Sequence, residues 1–521
     1  MRGSMDREQL NPARRRLLQA VAGLAGLAVT GNGARLLARP NFQSYPFALG
    51  VASGEPSAEG FVLWTRLAPD PLHGGGMPPL DVPVEWQVAD DENFARIVRR
   101  GVAIAAPEWA HSLHVEVDGL ASDRWYFYRF LSGGAASPIG RTRTLPARAA
   151  PAARLRLAVA SCQHFEQGYF SAYRHMLDDD LDCIVHVGDY IYEGSWGAQV
   201  RVHESPRGAF TLDDYRNRHA CYKRDVDLAA AHAAYPWLVT WDDHDVANDY
   251  AGLVPNDAES VFEFARRRAA AYRAWYEHMP LRGVHRPRAD GGMWMQGRYD
   301  FGTLARINLL DDRQYRMPHP CAERGTMVRG CAQRFAASQT LLGSDQESWL
   351  EQGLTGSAAR WNVLAQQTLI APFESRAVDG GYDVWTDGWD GYPAARAQLL
   401  GTIAQRGVRN VIALGGDMHA FYVSDLKTNF DDADAAPIAT EFVGTSITSH
   451  DVDHDAVSRD LPHNPHIRYF ESRWRGYLRC EITPQSWRTD LRIVDNVENV
   501  ASQSSTLATF HVEDGRAGAQ S

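Results

Sequence analysis

The sequence predicts an α/β protein in which an immunoglobulin-like β-sandwich precedes a layered α/β domain. Over residues 41–147, short strands with period-two alternation are separated by turn residues, which is typical of an antiparallel sandwich of roughly 100 residues. Over residues 153–495, apolar strands alternate with helical stretches, as in layered α/β domains. An Ala- and Pro-rich stretch, 146–153, indicates a linker, and residues 496–521 are expected to form a C-terminal tail.

Each predicted element follows from its local pattern. In the first region, alternation predicts strands over 60–66, 82–88, 114–117 and 124–130. In the second region, short apolar runs predict strands over 155–161, 183–187, 237–241, 305–310 and 410–414. Aromatic and Ala residues at helical spacing predict a short helix over 169–177 and a long amphipathic helix over 260–278.

Composition limits the possible functions. The chain has 521 residues, of which 45% are apolar, and this length is typical of two to four domains. A net charge of −11 argues against nucleic acid as a regulatory partner, although a local basic pocket for phosphate remains compatible with it. Six cysteines are too few for a disulfide scaffold, and only Cys321 and Cys331 lie close enough in sequence to predict a bridge.

Residues 1–40 are predicted to be an export signal. Arg14, Arg15 and Arg16 precede an apolar run of 11 residues, 20–30. Because a bilayer span needs about 20 residues, the run predicts no stable membrane anchor. Consecutive arginines before such a run resemble a twin-arginine signal, which predicts folded export to the periplasm or medium by the twin-arginine machinery. The alternative is a basic amphipathic helix that packs on the protein body.

Five predicted strands of the second region end in polar residues that could bind metal ions or protons. In open α/β sheets, ligands bind beyond the carboxyl ends of the strands. A single polar residue at the end of a strand usually caps the following helix, but five such residues are hard to explain as helix caps. A shared carboxylate with nitrogen, oxygen and sulfur donors around it suits hydrolysis by a two-metal mechanism. The residues expected to converge are Cys162, Asp189, Tyr192, Asp243, His244, Asn248, Asp417 and His419.

The order of these residues resembles that of the calcineurin-like metallophosphoesterases. More specifically, several segments look like motifs of the alkaline phosphatase D (PhoD-like) family, and the likeness covers residues 42–495, including the β-region in front. The resemblance implies a layered α/β/β/α metallophosphoesterase sandwich. The matching segments are 160–163 (Ala-Ser-Cys-Gln), 188–192 (Gly-Asp-Tyr-Ile-Tyr), 241–245 (Trp-Asp-Asp-His-Asp), 312–316, 387–392 and 415–419 (Gly-Gly-Asp-Met-His).

The same resemblance implies Fe³⁺ and Ca²⁺ as cofactors. Thiolate, phenolate and imidazole suit a transition metal, whereas carboxylate and amide oxygens suit a hard cation. Asp189 is expected to bridge the two metals, and Asp243 is either a ligand or a partner of the ligands. The residues that match the family's iron ligands are Cys162, Asp189, Tyr192 and His419. Those that match the calcium side are Asn248 and Asp417.

Three further residues receive roles in binding or catalysis. His244 stands where the superfamily has a histidine that contacts substrate, so it is expected to protonate the leaving oxygen or to stabilise the charged phosphorane. Arg313 and Arg316 either bind phosphate bidentately or pair with Asp311 and Asp312. The chain has Cys-Gln-His at 162–164 where the superfamily has Asp-x-His. His164 is therefore either a metal ligand or a residue that packs behind the ligands.

The predicted function is that of a secreted metal-dependent alkaline phosphatase. It would hydrolyse phosphate monoesters by in-line attack of a metal-bound hydroxide or oxide, with diesters left open as further substrates. One alternative is a phospholipase D-type phosphodiesterase, and another is a non-catalytic secreted module that holds phosphate or metal. The complete set of ligand residues favours catalysis.

Overall fold

The computed structural model describes residues 41–521, apart from 198–199, 257, 323, 378–379 and 451. The export signal expected over residues 1–40 lies outside this part of the chain. Within the described part, no helix is both long enough and apolar enough to cross a membrane.

The described residues form four β-sheets and seven α-helices. The strands are β1 (Val51–Gly54), β2 (Phe61–Arg66), β3 (Val82–Ala89), β4 (Ile97–Ala105), β5 (Ser112–Val117), β6 (Trp125–Ser132), β7 (Ala135–Ala136), β8 (Gly140–Arg143), β9 (Leu155–Ala160), β10 (Cys183–His186), β11 (Pro236–Val239), β12 (Gly297–Phe301), β13 (Ala305–Leu309), β14 (Met327–Val328), β15 (Trp361–Ala365), β16 (Ser375–Arg376), β17 (Tyr382–Trp385), β18 (Val411–Gly415), β19 (Phe421–Leu426), β20 (Ala439–Val443), β21 (Ile467–Glu471), β22 (Arg475–Ile482), β23 (Ser486–Val494) and β24 (Ser504–Glu513). The α-helices are α1 (Ser171–Met176), α2 (Leu212–Lys223), α3 (Val226–Ala234), α4 (Val261–His278), α5 (Ser344–Thr355), α6 (Pro393–Gln405) and α7 (His454–Asp460).

Two large mixed sheets form the body of the molecule. The first has the order β24-β23-β22-β9-β10-β11-β1-β2-β5, and the second has the order β12-β13-β15-β18-β20-β19-β21. In the first sheet β9, β10 and β11 run parallel, and in the second β13, β15, β18 and β20 do so. Parallel strands bring their carboxyl ends to one edge of each sheet, where α/β folds place their ligands.

Alternate residues of the central strands are buried on opposite faces. Leu157 of β9 and Val185 of β10 pack in one apolar cluster with Ile307 and Ile412 of the second sheet, so this cluster lies between the sheets. The neighbouring Ile184 packs instead with aromatic residues of helices α1, α2 and α4. Helices α5 and α6 pack with residues of β15, β18 and β20 in a third cluster. Strands buried on both faces lack polar alternation, which explains the uninterrupted apolar runs of the sequence.

The N-terminal region shares a sheet with the rest of the protein. A small sheet, β4-β3-β6-β7 with β8 beside β6, faces β1, β2 and β5 across an apolar cluster that includes Leu63 and Phe130. Strand β1 also pairs in parallel with β11, so β1, β2 and β5 extend the nine-stranded sheet. The sequence did not predict this continuity, because strand pairing between distant segments leaves no local pattern.

The C-terminal residues are not a tail. Strand β24 pairs antiparallel with β23 along its whole length and forms the edge of the nine-stranded sheet. Its Phe510 and Val512 are buried against the core between the sheets. The expectation of a tail over 496–521 was therefore wrong. A run of Ser, Thr and Ala residues hides the alternation, because most side chains of an edge strand stay partly exposed.

The short-range predictions agree closely with the structure. The five strands predicted in the second region correspond to β9, β10, β11, β13 and β18, each within two residues. Helix α4 begins after Ser260, whose hydroxyl accepts a hydrogen bond from the amide of Glu263 while the Glu263 carboxylate accepts from the Ser260 amide. This capping box satisfies the free amides of the first turn. Cys321 and Cys331 form the expected disulfide.

Candidate metal centre

The predicted ligands follow four strands whose carboxyl ends converge. Cys162 follows β9, Asp189 follows β10, and Asp243 follows β11, all in the first sheet. Asp417 and His419 follow β18 in the second sheet. The centre therefore lies where the edges of the two sheets meet. The fifth predicted strand end, after β13, does not contribute a ligand to these groups. Its Asp311 accepts hydrogen bonds from the Trp241 indole, the Arg313 amide and other neighbours.

Four of these residues have left-handed backbone conformations. The φ angles are 57° at Cys162, 54° at Asp189, 61° at Asp417 and 49° at His419. Each such conformation costs a non-glycine residue on the order of 1–3 kcal/mol and persists only where the surrounding structure imposes it. Such residues concentrate at functional sites, and here they turn side chains from separate strand ends toward one point.

The first group of ligand atoms contains a thiol, a carboxylate, a phenol and an imidazole. One ligand atom from each of Cys162, Asp189 and His419 lies within 4.8 Å of the others. The Tyr192 hydroxyl donates to Asp189 Oδ2 at 3.0 Å and lies 3.1 Å from His419 Nε2. Ser449 Oγ donates to the same hydroxyl at 2.7 Å, which fixes its position. The four residues that match the iron ligands are thus in mutual contact.

Three further groups are built mainly from carboxylates; one shares Asp189 with the first group, and all three share Asp243. In each, ligand atoms lie within 4.8 Å of one another. Because Asp189 and Asp243 each occur in more than one group, the groups form one continuous centre able to hold more than one cation. The groups are Asp189, Asp243 and His244; Asp242, Asp243 and Asp417; and Asp243, Asp249 and Asp387.

Negative charge at the centre exceeds the positive charge that the protein supplies. The buried Arg313 guanidinium donates from Nε to Asp242, from Nη1 to Asp387 Oδ2 at 2.7 Å and from Nη2 to Asp417 Oδ1 at 3.3 Å. Even so, Asp242 Oδ2 and Asp243 Oδ1 are buried without a hydrogen-bond partner among the described residues. Buried carboxylate oxygens are normally paired or bound to metal. Both oxygens lack a hydrogen bond, and Asp243 Oδ1 has only an ion-pair contact with Arg313 Nη2 at 3.6 Å, so they fit bound cations.

The pKa shifts agree with that conclusion. Burial, and then repulsion by Asp243, raises the pKa of Asp189 well above its ordinary range. Burial and the nearby Asp189 charge raise the pKa of the Cys162 thiol and of the Tyr192 phenol as well. With protein groups alone, the anionic forms of these donors are therefore disfavoured. A bound cation reverses this preference, since it stabilises the anionic form of each ligand.

His244 is placed to carry a proton. Its Nδ1 lies 2.8 Å from Glu193 Oε2, and its ring stacks on Tyr192 at a centroid distance of 4.3 Å. Burial lowers the pKa of His244, but the charges of Glu193 and Asp243 outweigh burial and raise the pKa well above its ordinary value. These charges therefore favour the protonated imidazole. Its Nε2 has no hydrogen-bond partner among the described residues.

Asn248 and Arg316 do not lie in the carboxylate groups. The Asn248 side chain is exposed, and its amide donates to Glu193 Oε1 at 2.8 Å. Its neighbour Asp249 lies in the group of carboxylates with Asp243 and Asp387. Arg316 is buried and donates to Asp387 Oδ1 at 2.5 Å and to the Tyr250 carbonyl at 2.7 Å. The guanidinium groups of Arg313 and Arg316 thus pair with carboxylates other than Asp311 and Asp312.

Several residues of the centre were missed from the sequence. Asp387 begins one of the matching segments, 387–392, and Glu193 directly follows Tyr192, so both had a local signal. Asp242 and Asp249 also lie within a few residues of a predicted ligand. Two further residues had no signal in the sequence, because they contact the predicted ligands from loops far away in the chain. Ser449 donates a hydrogen bond to the Tyr192 hydroxyl, and Thr368 donates one to Asp417 Oδ2 at 2.9 Å.

Comparison with known proteins gives one consistent relationship. The model of the PhoD-like phosphatase family matches residues 157–491, and the model of the N-terminal domain of PhoD-like phosphatases matches residues 33–146. The chain is 45% identical to alkaline phosphatase D of Bacillus subtilis (strain 168), over 97% of this chain and 88% of that protein. It also superposes on the solved structure of PhoD with a TM-score of 0.88 and 46% identity, covering 92% of this chain and 93% of the other.

Proposed function

This chain belongs to the PhoD-like phosphatase family and is a phosphatase, and we propose that it hydrolyses phosphate monoesters and diesters at the centre formed by the four strand ends. The observation that carries the proposal is the sharing of Asp189 and Asp243 among overlapping groups of ligand atoms. If cations bind there, shared ligands would hold them close enough to act together on one phosphoryl group.

The donor set supports iron and calcium at different parts of the centre. Cys162, Tyr192 and His419 supply sulfur, phenol and imidazole donors beside Asp189, which favour Fe³⁺. Asp243 and Asp417 supply carboxylate oxygens, which favour Ca²⁺. The resemblance adds Asn248 on this side, and its exposed side chain could supply an amide oxygen. When bound, the two cations would supply Lewis-acid stabilisation of charge on the phosphoryl oxygens.

The protein's own residues would orient the substrate and move a proton. His244, held by Glu193, presents Nε2 as the donor to the leaving alkoxide. Asp189 accepts hydrogen bonds from the Tyr192 hydroxyl and the His244 amide, so it fixes both relative to the centre. Arg313 holds Asp242, Asp387 and Asp417 in place, and through them the geometry of the calcium side. This arrangement is prepared before substrate binds, which is the main source of electrostatic catalysis.

Folded export by the twin-arginine route is part of the proposal. It is supported by Arg14, Arg15 and Arg16 before an apolar run, and by the Cys321–Cys331 disulfide, since disulfides persist in oxidising compartments. We also propose a finer description of the fold. The two large sheets share one apolar cluster, and helices pack on the outer face of each sheet, which supports an α/β/β/α sandwich. The β4-β3-β6-β7 sheet and the strands that face it would form the Ig-like part.

The experiment is a substrate screen on metal-analysed enzyme. Purified protein is assayed with a phosphate monoester, a phosphodiester and a phospholipid, before and after chelation and after return of Fe³⁺ with Ca²⁺. We expect monoester and diester hydrolysis that chelator abolishes and the two metals restore. Full activity in chelator-treated, metal-free protein would contradict the two-metal centre. Hydrolysis of the phospholipid alone would instead support the phospholipase D-type alternative.

A further inference from the structure

Trp196 lies beside the centre, and we propose that its indole binds the leaving group of the substrate and favours esters of aromatic or other apolar alcohols. This inference rests on the proposed function. The indole packs edge-on against Tyr192 at a centroid distance of 5.3 Å and against His244 at 5.3 Å. It also lies 4.6 Å from the His164 ring. Nevertheless 47% of Trp196 is exposed, so a large apolar surface remains open beside the proton donor.

The loop that carries Trp196 is held by a buried carboxylate. Glu166 is 1% exposed. It accepts hydrogen bonds from the Trp196 amide at 3.0 Å, from Ser195 Oγ at 2.8 Å and from the His203 amide at 3.4 Å. Hydrogen bonds to a buried charged group are strong and directional. The backbone that carries the indole is therefore held in place before ligand binds, which lowers the entropic cost of using the ring as a binding surface.

The position of the indole determines which part of the substrate it can touch. The phosphoryl group is anionic and belongs at the carboxylate centre with its cations. The leaving oxygen must reach His244, the proton donor, and the group attached to that oxygen continues beyond His244. Trp196 contacts the His244 ring at this point. A flat apolar leaving group can stack on an indole, and such aromatic pairs are worth about a two- to twelvefold gain in affinity beyond simple area burial.

The test uses two ligands that share the phosphoryl-like group and differ in the remainder. Binding of 2-naphthylphosphonate and ethylphosphonate to the metal-loaded enzyme is measured by calorimetry. We expect Trp196→Ala to weaken naphthylphosphonate about two- to twelvefold and ethylphosphonate less than twofold, with Trp196→Phe recovering most of the loss. Trp349→Ala is the matched control, because Trp349, in helix α5, is also a half-buried tryptophan and packs on Arg298. Both ligands should bind the Trp349→Ala variant as they bind the wild type.

Glu166 is tested as a positioning residue in the same assay. Glu166→Ala should lose the preference for the naphthyl ligand while ethylphosphonate binding stays unchanged, and Glu166→Gln should restore part of the preference. Equal weakening of both ligands by Trp196→Ala, or no weakening of either, would overturn the inference. Turnover of 2-naphthyl phosphate and ethyl phosphate is measured separately. A wild-type protein that binds with this preference but hydrolyses neither ester would support the binding role of Trp196 and refute the proposed function.

Discussion

Arg313 is the cationic side chain that binds three carboxylates of the centre, and its replacement offers the most informative test of the electrostatics. It is 1% exposed and pairs with Asp242, Asp387 and Asp417. Burial alone would raise the pKa of Asp387, but Arg313, together with Arg316, holds that pKa well below its ordinary value. In Arg313→Met the volume is nearly retained, while Asp242, Asp387 and the partly exposed Asp417 lose a hydrogen-bond partner and Asp243 loses an ion-pair contact.

The expected loss of stability can be worked out from these contacts. Removing one partner of a buried ion pair costs about 3–5 kcal/mol, because the remaining charge stays buried and unpaired. At about 2.1 cal/mol/K per residue, a chain of 521 residues has an unfolding entropy of about 1.1 kcal/mol/K. If the chain unfolds as one unit, the Tm therefore falls by about 3–5 °C. Added Ca²⁺ should recover part of the loss, since a bound cation offsets the same carboxylates.

The assay is calorimetric unfolding of the variant with and without Ca²⁺, alongside metal analysis. Arg313→Lys keeps the charge but cannot reach three carboxylates at once, so its Tm should lie between those of the wild type and Arg313→Met. Arg306→Met is the matched control, because Arg306 is equally buried but pairs with one carboxylate, Asp300, away from the centre. It should lose stability and keep its metal. Unchanged Tm and metal content in Arg313→Met would refute the reasoning.

Three other substitutions test the remaining roles. His244→Ala should lower kcat by roughly 10²–10⁴-fold while metal content is unchanged, as expected for a proton donor that is not a ligand; normal turnover would exclude His244 from the reaction, and metal loss would make it a ligand. Bound Fe³⁺ should give a visible charge-transfer band that changes in Tyr192→Phe or Cys162→Ser; a colourless active enzyme with only zinc or calcium would exclude iron. Burial lowers the pKa of Lys223 to about 7 from 10.5, so between these pH values the unfolded chain binds more protons and stability rises with pH. Lys223→Met should therefore raise the Tm most at pH 7 or below and least above pH 10, and a gain that does not depend on pH would contradict this.

Local sequence patterns were sufficient for the nine strands and two helices that were predicted, which include the parallel strands β9, β10 and β11. Apolar runs followed by Gly188 or by Asp242 located β10 and β11, and the Ser260 cap located the start of α4. These signals are local because strand formation, turns and caps depend on residues a few positions apart. The same patterns failed for β24 and for the pairing of β1 with β11. Pairing partners far apart in the chain are chosen by tertiary packing, and an edge strand carries little alternation.

By itself, the sequence determined which chemical groups stand at the strand ends: a thiol, a phenol, two imidazoles and several carboxylates. It also determined the family, since the motifs around Cys162, Asp189 and His419 occur together and in order. Only the tertiary structure decided which groups meet. It brought Asp249 and Asp387 to Asp243, turned Asn248 to the surface and bound Arg316 to Asp387. The physical reason is that a side chain's environment depends on the path of loops from separate strands, whereas its identity and its place after a strand are written locally.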